Sequence, residues 1–276
     1  LVHSSPNRFF DSVAARNWSL PVVHDDLQHH ASGCYAAHSG IKRWNRQAEN
    51  RLLTAETWSA VARQVTGQPY PADEFKHAWK NVLFNQFHDI LAGTSLESAY
   101  EDAQQMHGEA MAIADRALNY AVQSMAWQIN IPAEENVRPI ILFNPHAWPS
   151  RVNVEVEFGR FRDEDVLLDD EGNLVPVQGL QSEATANGRH RLSFNADLPP
   201  LGYRVYRVVP RPGERLSETA VSATDTVLEN GRFRLEFNPD TGNIKSLRDK
   251  QGELEVFSGE AARAVVLADD SDTWGH

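Results

Sequence analysis

The feature that most limits what this chain can fold into is a single change of hydrophobic period. From Ile41, apolar residues return at three- and four-residue steps: Ile41, Trp44, Ala48, Leu52, Ala55, Trp58, Ala62 and Val65. Beyond about residue 130 they alternate with polar ones instead, as in "VNVEVEF" at 152–158. The first pattern lays one apolar stripe along a helix, and the second gives a strand one apolar face. The expected fold class is therefore α+β and multidomain, with helices first and antiparallel β-structure after.

Punctuation divides the two regions further. Gly67 and Pro69 end the first helix. Phe75, Trp79, Val82, Leu83, Phe87 and Ile90 predict a second helix over 72–91, closed by Gly93. "TSLE" has the form of a capping box, Thr94 with Glu97. It predicts a third helix over 96–128, with Tyr100, Ala103, Met106, Ala110, Ile113, Ala117, Tyr120, Val122 and Met125 inward. Three amphipathic helices on short turns make a three-helix bundle, placed at 41–132. "RPIILFNP", "VNVEVEF", the "DDEGN" turn and "RHRLSFNADLPPLGYRVYRVV" predict an antiparallel β-sandwich at 137–210. The polar, aperiodic stretch 211–226 reads as a linker. Residues 227–276 read as the start of a larger β domain, a meander on "NG" and "DTGN" turns. Residues 1–40 are the least regular: "PNRFFDSVAA" suits a short helix and "LPVVHDD" a short buried strand.

Composition narrows the function. A formal net charge of -12 argues against nucleic acid or an anionic membrane as partner. No stretch approaches the roughly 20 consecutive apolar residues of a membrane span. Cys34 is the only cysteine, so no intrachain disulfide forms, which fits a reducing, cytoplasmic setting. The opening "LVHSSPNRFF" lacks an initiator Met and both parts of a signal peptide, and reads as cut from something longer.

The segment "NVLFNQFHDILAGTS", 81–95, carries the chemistry. On one continuous helix Asn81, Asn85, His88 and Asp89 share a face that holds no Lys, Arg or Glu. Short, directional hydrogen-bonding groups suit an enclosed polar site better than solvent. His88 also suits a helix C-terminus on dipole grounds alone, and Asn is common near helix ends. As metal chemistry, the segment supplies one imidazole and one carboxylate, whereas a working zinc site takes about three protein ligands.

"WKNVLFNQFHDILAGTS" resembles the segment in which the class II α-mannosidases, glycoside hydrolase family 38, pass from catalytic domain to helical middle domain. The resemblance extends through "LQHHASGCYAAHSGIKRWNRQAENRLLTAE", "RPIILFNPHAWPSRVNVEV" and "VLENGRFRLEFNPDTGNIKSLRDK", in the family's order. Phe87 stands where Golgi and lysosomal members have a second histidine, so the likeness is to the bacterial and cytosolic-type branch. It implies that 1–40 is the C-terminal edge of the family's α/β barrel, and that the parent is a zinc-dependent, retaining glycoside hydrolase acting on α-mannosides. It implies His88 as a zinc ligand and Asp89 as a binder of sugar hydroxyls. It also points to Asp26, with Asp25 as second choice, as general acid on the site's rim, together with His29, His30 and Tyr35. The family's His-x-Asp zinc pair and nucleophile have no counterpart here, and "HDD" at 24–26 is not that pair in context. Retaining hydrolysis needs two carboxyl groups roughly 5 Å apart. The chain alone is therefore expected to be inactive and its one-zinc site incomplete or empty.

Two other readings stay open. A self-contained metal protein would draw on His24, Asp25, Asp26, His29, His30 and His88, while His29, His30 and His38 have no standard ligand spacing. A non-catalytic carbohydrate-binding or scaffold module would use Trp148, Tyr203 and Tyr206 as stacking platforms, positions that equally suit strand cores. A half-built sheet edge near residue 276 would also favour a homo-oligomer.

Overall fold

The computed structural model describes residues 3–16, 18–24, 33–159, 161–181, 190–211, 213, 221–266 and 268. Helix α1 (Pro6–Ala15) begins on Ser5, whose hydroxyl accepts from the Arg8 amide, with Pro6 in the first turn. Residues 18–24 then run without regular structure. Leu20, Val22 and Val23 are exposed, which corrects the expected buried strand. The short α2 (Gly33–Ala36) leads into the bundle.

The bundle comprises α3 (Ser39–Thr66), α4 (Ala72–Phe84) and α6 (Glu97–Ala126), with a single turn, α5 (His88–Leu91), between the last two. Ile41 packs with Tyr100 and Ala103, Arg51 pairs with Asp115, and Trp58 meets Ala121 and Met125, so α3 and α6 run in the same direction. α4 runs against them, pairing Glu74 with Arg116 and Asn81 with Glu109. The seam is alanine-rich: Ala48, Ala55, Ala78, Ala110, Ala114 and Ala117 surround Leu52, Phe75, Val82 and Ile113 in one core. Small residues let these backbones approach closely and leave little room for voids.

Three expectations for the helices fail at their ends. Val65, Leu83, Phe87 and Tyr120 are exposed: Leu83 and Tyr120 fall beside the buried faces of α4 and α6, Val65 lies in the last turn of α3, and Phe87 sits in the break before α5. The capping box does not form. α6 starts after Leu96 without a side-chain cap, and Thr94 Oγ1 donates instead to the Asp89 carbonyl at 3.4 Å. The second helix is not continuous: α4 ends at Phe84 and the chain restarts at His88.

A four-stranded sheet has the order β1 (Arg138–Phe143), β7 (Tyr203–Pro210), β3 (Asp165–Leu168), β4 (Leu174–Val175). It faces a three-stranded sheet of β2 (Ser150–Phe158), β6 (His190–Leu198) and β5 (Val177–Leu180). All pairs are antiparallel, and β2 and β6 stay in register from Ser150↔Leu198 to Phe158↔His190. Alternate residues Leu192, Phe194, Ala196 and Leu198 meet Ile140, Leu167, Tyr206 and Val208 from the other sheet, the packing of a β-sandwich. Beyond it lies a five-stranded meander of β8 (Ser222–Ala223), β9 (Val227–Glu229), β10 (Phe233–Phe237), β11 (Ile244–Asp249) and β12 (Leu254–Glu255). Its β8 lies inside the stretch read as linker, paired with β9. The described residues contain helices and antiparallel sheets and no closed barrel.

Two buried polar groups set testable costs. His107 is fully buried in α6. Its Nδ1 bonds the Ala103 carbonyl at 2.8 Å, so that nitrogen carries the proton, while Nε2 has no partner. Burial holds its pKa below the ordinary value, and the Ala103 bond offsets only part of that. A lowered folded pKa means that the unfolded chain takes up the proton first as pH falls. Stability should be level above neutrality and decline below about pH 6.5, by at most ~1.4 kcal/mol per pH unit for one proton. His107→Leu should flatten that limb of a urea-denaturation series run against pH. In the sandwich, Asp165 on β3 is buried, pairs with Arg138 on β1 and accepts the Arg162 amide at 2.8 Å. Asp165→Ala removes a charged acceptor from Arg138 and from the Arg162 amide and should cost about 1–3 kcal/mol in the sandwich's unfolding transition.

Candidate functional site

The break between α4 and α5 decides what the polar segment can do. Asn85 is buried, and its Nδ2 donates to the Asn81 carbonyl at 2.7 Å, the acceptor its own amide would use if the helix continued. The Asn85 and Gln86 amides turn to the Leu83 carbonyl, and the Phe87 amide to that of Phe84, which tightens the last turn. Phe87 then leaves helical geometry, at φ -54 and ψ 138. Its carbonyl accepts from both Ile90 and Leu91 at 2.9 Å, opening a new turn in a new direction.

Asn81, Asn85, His88 and Asp89 therefore do not share one helix face, contrary to the sequence expectation. The asparagines are spent inside the bundle. Asn81 Nδ2 donates to Glu109 Oε2 at 2.9 Å, and Asn85 also touches Met106 Sδ at 3.5 Å. Gln86 reaches across to α3, donating to Asn45 Oδ1 at 3.1 Å and Glu49 Oε1 at 2.9 Å. His77 and Asn81 together hold the Glu109 carboxyl below its usual range by hydrogen bonding to its charged form. This is a polar layer that closes one end of the bundle.

His88 and Asp89 remain, and they face outward. Their side chains are 80% and 51% exposed, with His88 Nε2 3.5 Å from Asp89 Oδ1. The Phe87 ring lies 4.3 Å from the imidazole, tilted by 49°. Leu83, Phe84, Phe87 and Leu96 are exposed on the same turns or just beyond them. An imidazole and a carboxylate side by side, set among apolar residues, can bind a metal through nitrogen and hydroxyl groups through oxygen.

Two clamps hold α5 in place. Gly93 has φ +87, and a Cβ there would lie 2.4 Å from the Ala37 carbonyl oxygen. Tyr100 Oη accepts the Ser95 amide at 2.9 Å and donates to the Ile90 carbonyl at 3.3 Å. The Tyr100 ring stacks on His38, with centroids 3.9 Å apart. His38 itself has φ 43 and caps α3, its Nδ1 accepting from the Ile41 amide at 3.2 Å. His38 is thus a capping and stacking residue.

The other expected site residues are more scattered. Tyr35 is exposed on α2. Asp25, Asp26, His29 and His30 lie outside the described residues, and His24 is exposed. Among the described residues no three His, Cys, Asp or Glu side chains are grouped to hold a metal ion. The described residues therefore do not fit a complete zinc site by themselves. Of the aromatic platforms considered, Tyr206 is buried in the sandwich core and Tyr203 is partly exposed. Trp148 is exposed and stacks on His146, with centroids 4.7 Å apart. Asn144 was not foreseen. It is buried and sets that loop, donating to the Trp148 and Pro199 carbonyls and accepting the His146 amide.

Comparison with known proteins agrees with this architecture. Residues 29–125 match the family model of the alpha mannosidase middle domain. Human alpha-mannosidase 2C1 is 25% identical over 279 residues, covering 97% of this chain and 23% of that protein. Bovine lysosomal alpha-mannosidase is 22% identical over 276 residues, covering 92% of this chain and 27% of that protein. A crystal structure of a glycosyl hydrolase family 38 protein from Enterococcus faecalis superposes with a TM-score of 0.65 at 19% identity, over 92% of this chain and 34% of that one. The helical part of the chain is thus similar to the middle domain of α-mannosidases. The chain as a whole is similar to α-mannosidases and spans about a quarter of the length of the curated relatives it matches.

The Gly93 contact gives a direct check on the site's frame. Gly93→Ala should lower stability by about 1–3 kcal/mol, since it combines a left-handed backbone with a clash against main chain. Thermal denaturation of the variant, beside a Gly67→Ala control that meets no neighbouring atoms, separates the clash from the backbone strain.

Proposed function

We propose that this chain is the middle portion of a zinc-dependent, retaining α-mannosidase, and that α5 is one wall of its sugar site. His88 is the chain's metal ligand and Asp89 its binder of substrate hydroxyls. Asp26 is the general acid and Tyr35 a rim residue. The carrying observation is that α5 turns only His88 and Asp89 outward, while Asn81, Asn85 and Gln86 of the same segment are consumed by internal hydrogen bonds. The α-mannosidases among its relatives support the reaction class. The remaining zinc ligands and the nucleophile come from residues outside this chain, so the chain alone does not hydrolyse α-mannosides. The first two units follow the boundaries at 41–132 and 137–210, and the last begins at β8, ahead of the expected 227. No helix among the described residues is long and apolar enough to cross a membrane. With Cys34 as the single cysteine, a cytoplasmic parent is the favoured setting.

The test pairs two measurements on the purified chain and on His88→Ala. Hydrolysis of an aryl α-mannoside should stay at the buffer rate with or without added zinc. Zinc titrated by calorimetry at neutral pH should bind weakly or negligibly to both. Tight, stoichiometric zinc binding that His88→Ala abolishes, or zinc-dependent turnover, would overturn this reading in favour of a self-contained metal protein.

A further inference from the structure

A four-residue helix has almost no stability of its own, because nucleation fixes several dihedrals for each hydrogen bond gained. The direction in which α5 points His88 and Asp89 must therefore be imposed from outside. Its C-terminal carbonyls also need partners beyond the turn itself. Lys42, in the first turns of α3, reaches that end. Its Nζ donates to the Ala92 carbonyl at 3.2 Å and to the Ala37 carbonyl at 2.6 Å. The two acceptors lie 5 and 50 residues from Lys42 in sequence, one just after α2 and one at the end of α5.

We propose that Lys42 is a positioning residue for the His88–Asp89 pair, its ammonium pinning the end of α5 to the segment that follows Tyr35. The proposal rests on the reading that His88 and Asp89 form one wall of a sugar site. A cation at a helix C-terminus meets the negative end of its dipole, and hydrogen bonds from a charged donor are stronger than neutral ones. Burial pushes the Lys42 pKa down, as expected for an ammonium withdrawn from water, where its bonds are less screened than those of a surface lysine. Gly93 lets the Ala92–Gly93 backbone come close enough to Ala37 for one ammonium to span both carbonyls. Tyr100 holds the other side of the turn through the Ile90 carbonyl and the Ser95 amide. The contact is main chain on the receiving side, so Lys42 sets the path of the backbone under His88 and Asp89 without touching a ligand.

Amide hydrogen exchange on the 276-residue chain tests this. The amides of Ile90, Leu91, Ala92 and Gly93 close α5 and its exit, and those of Leu52, Ala55 and Trp58 report the middle of α3. Lys42→Met should speed exchange at 90–93 by roughly tenfold or more while leaving the α3 amides unchanged. It should also shift the His88 imidazole resonances, and Lys42→Arg, which can still donate to two carbonyls, should restore both. Unchanged exchange at 90–93, an equal acceleration in α3, or no rescue by arginine would overturn the proposal. If Lys42→Met does not fold, Lys42→Leu gives the same comparison, again without a donor. The His88→Ala zinc titration tests the site reading separately, so unchanged exchange removes the clamp whatever the titration gives.

Discussion

Close approach of α3 and α6 along a seam of alanines is the constraint on which the rest of the helical region depends. Ala48, Ala55 and Ala62 on one helix, and Ala103, Ala110, Ala114, Ala117 and Ala121 on the other, are all buried. Side chains this small cost little entropy on burial and favour helix strongly, so the seam gains rigidity without opposing its own secondary structure. The larger groups, Leu52, Phe75, Val82 and Ile113, fill the space where α4 lies against the pair. With α3 and α6 fixed in register, α4 has one place to lie, and the polar layer at its end has one geometry.

That layer explains why the second helix stops where it does. Asn45, Asn81, Asn85 and Gln86 meet at the end of α4, where the apolar core gives way and buried donors must find acceptors. Asn85 finds one in the carbonyl of its own preceding turn, and that choice ends the helix. The break is local chemistry enforced by tertiary packing. It frees the next two polar residues, His88 and Asp89, to point away from the bundle. The same short segment thus splits its polar groups between holding the fold and facing outward.

The order of the elements was legible in the sequence because period is a local property. The 3.6-residue stripe of α3 and the strict alternation of β2 and β6 are each set by which face is buried. The break at Asn85 was not legible. A helix through 72–91 satisfies the apolar pattern equally well, and only the hydrogen bonds of the folded layer, Asn85 to the Asn81 carbonyl and its neighbours to α3 and α6, decide against it. Val65 was misplaced because periodicity continues to the last turn of a helix whether or not a neighbour covers it, and Tyr120 because it sits one step off the face that Ala117 and Ala121 bury. The five-stranded meander was readable from its turns, but β8 was hidden in a polar stretch whose two paired residues, Ser222 and Ala223, carry no strand signal. His88 and Asp89 stood out by residue type and by resemblance. The lysine and tyrosine that hold their turn did not, because Lys42 resembles any surface lysine and Tyr100 any core aromatic until the chain is folded.

The bundle and the sandwich also meet through side chains that neither period explains alone. Phe143, the last residue of β1, packs edge-on against Trp58 of α3 at 5.2 Å and lies 5.8 Å from Tyr203. Beside it, Asn144 fixes the turn by bonding main chain at Trp148 and Pro199. A buried aromatic contact backed by a satisfied amide is a stiff joint, since moving either side exposes apolar surface or strands a polar group. The helix that receives Phe143 at one end is the one that starts beside Lys42 at the other. Fixing α3 therefore fixes both the orientation of the first sandwich strand and the place from which α5 is held, which ties the direction of His88 and Asp89 to the core that carries the sheets.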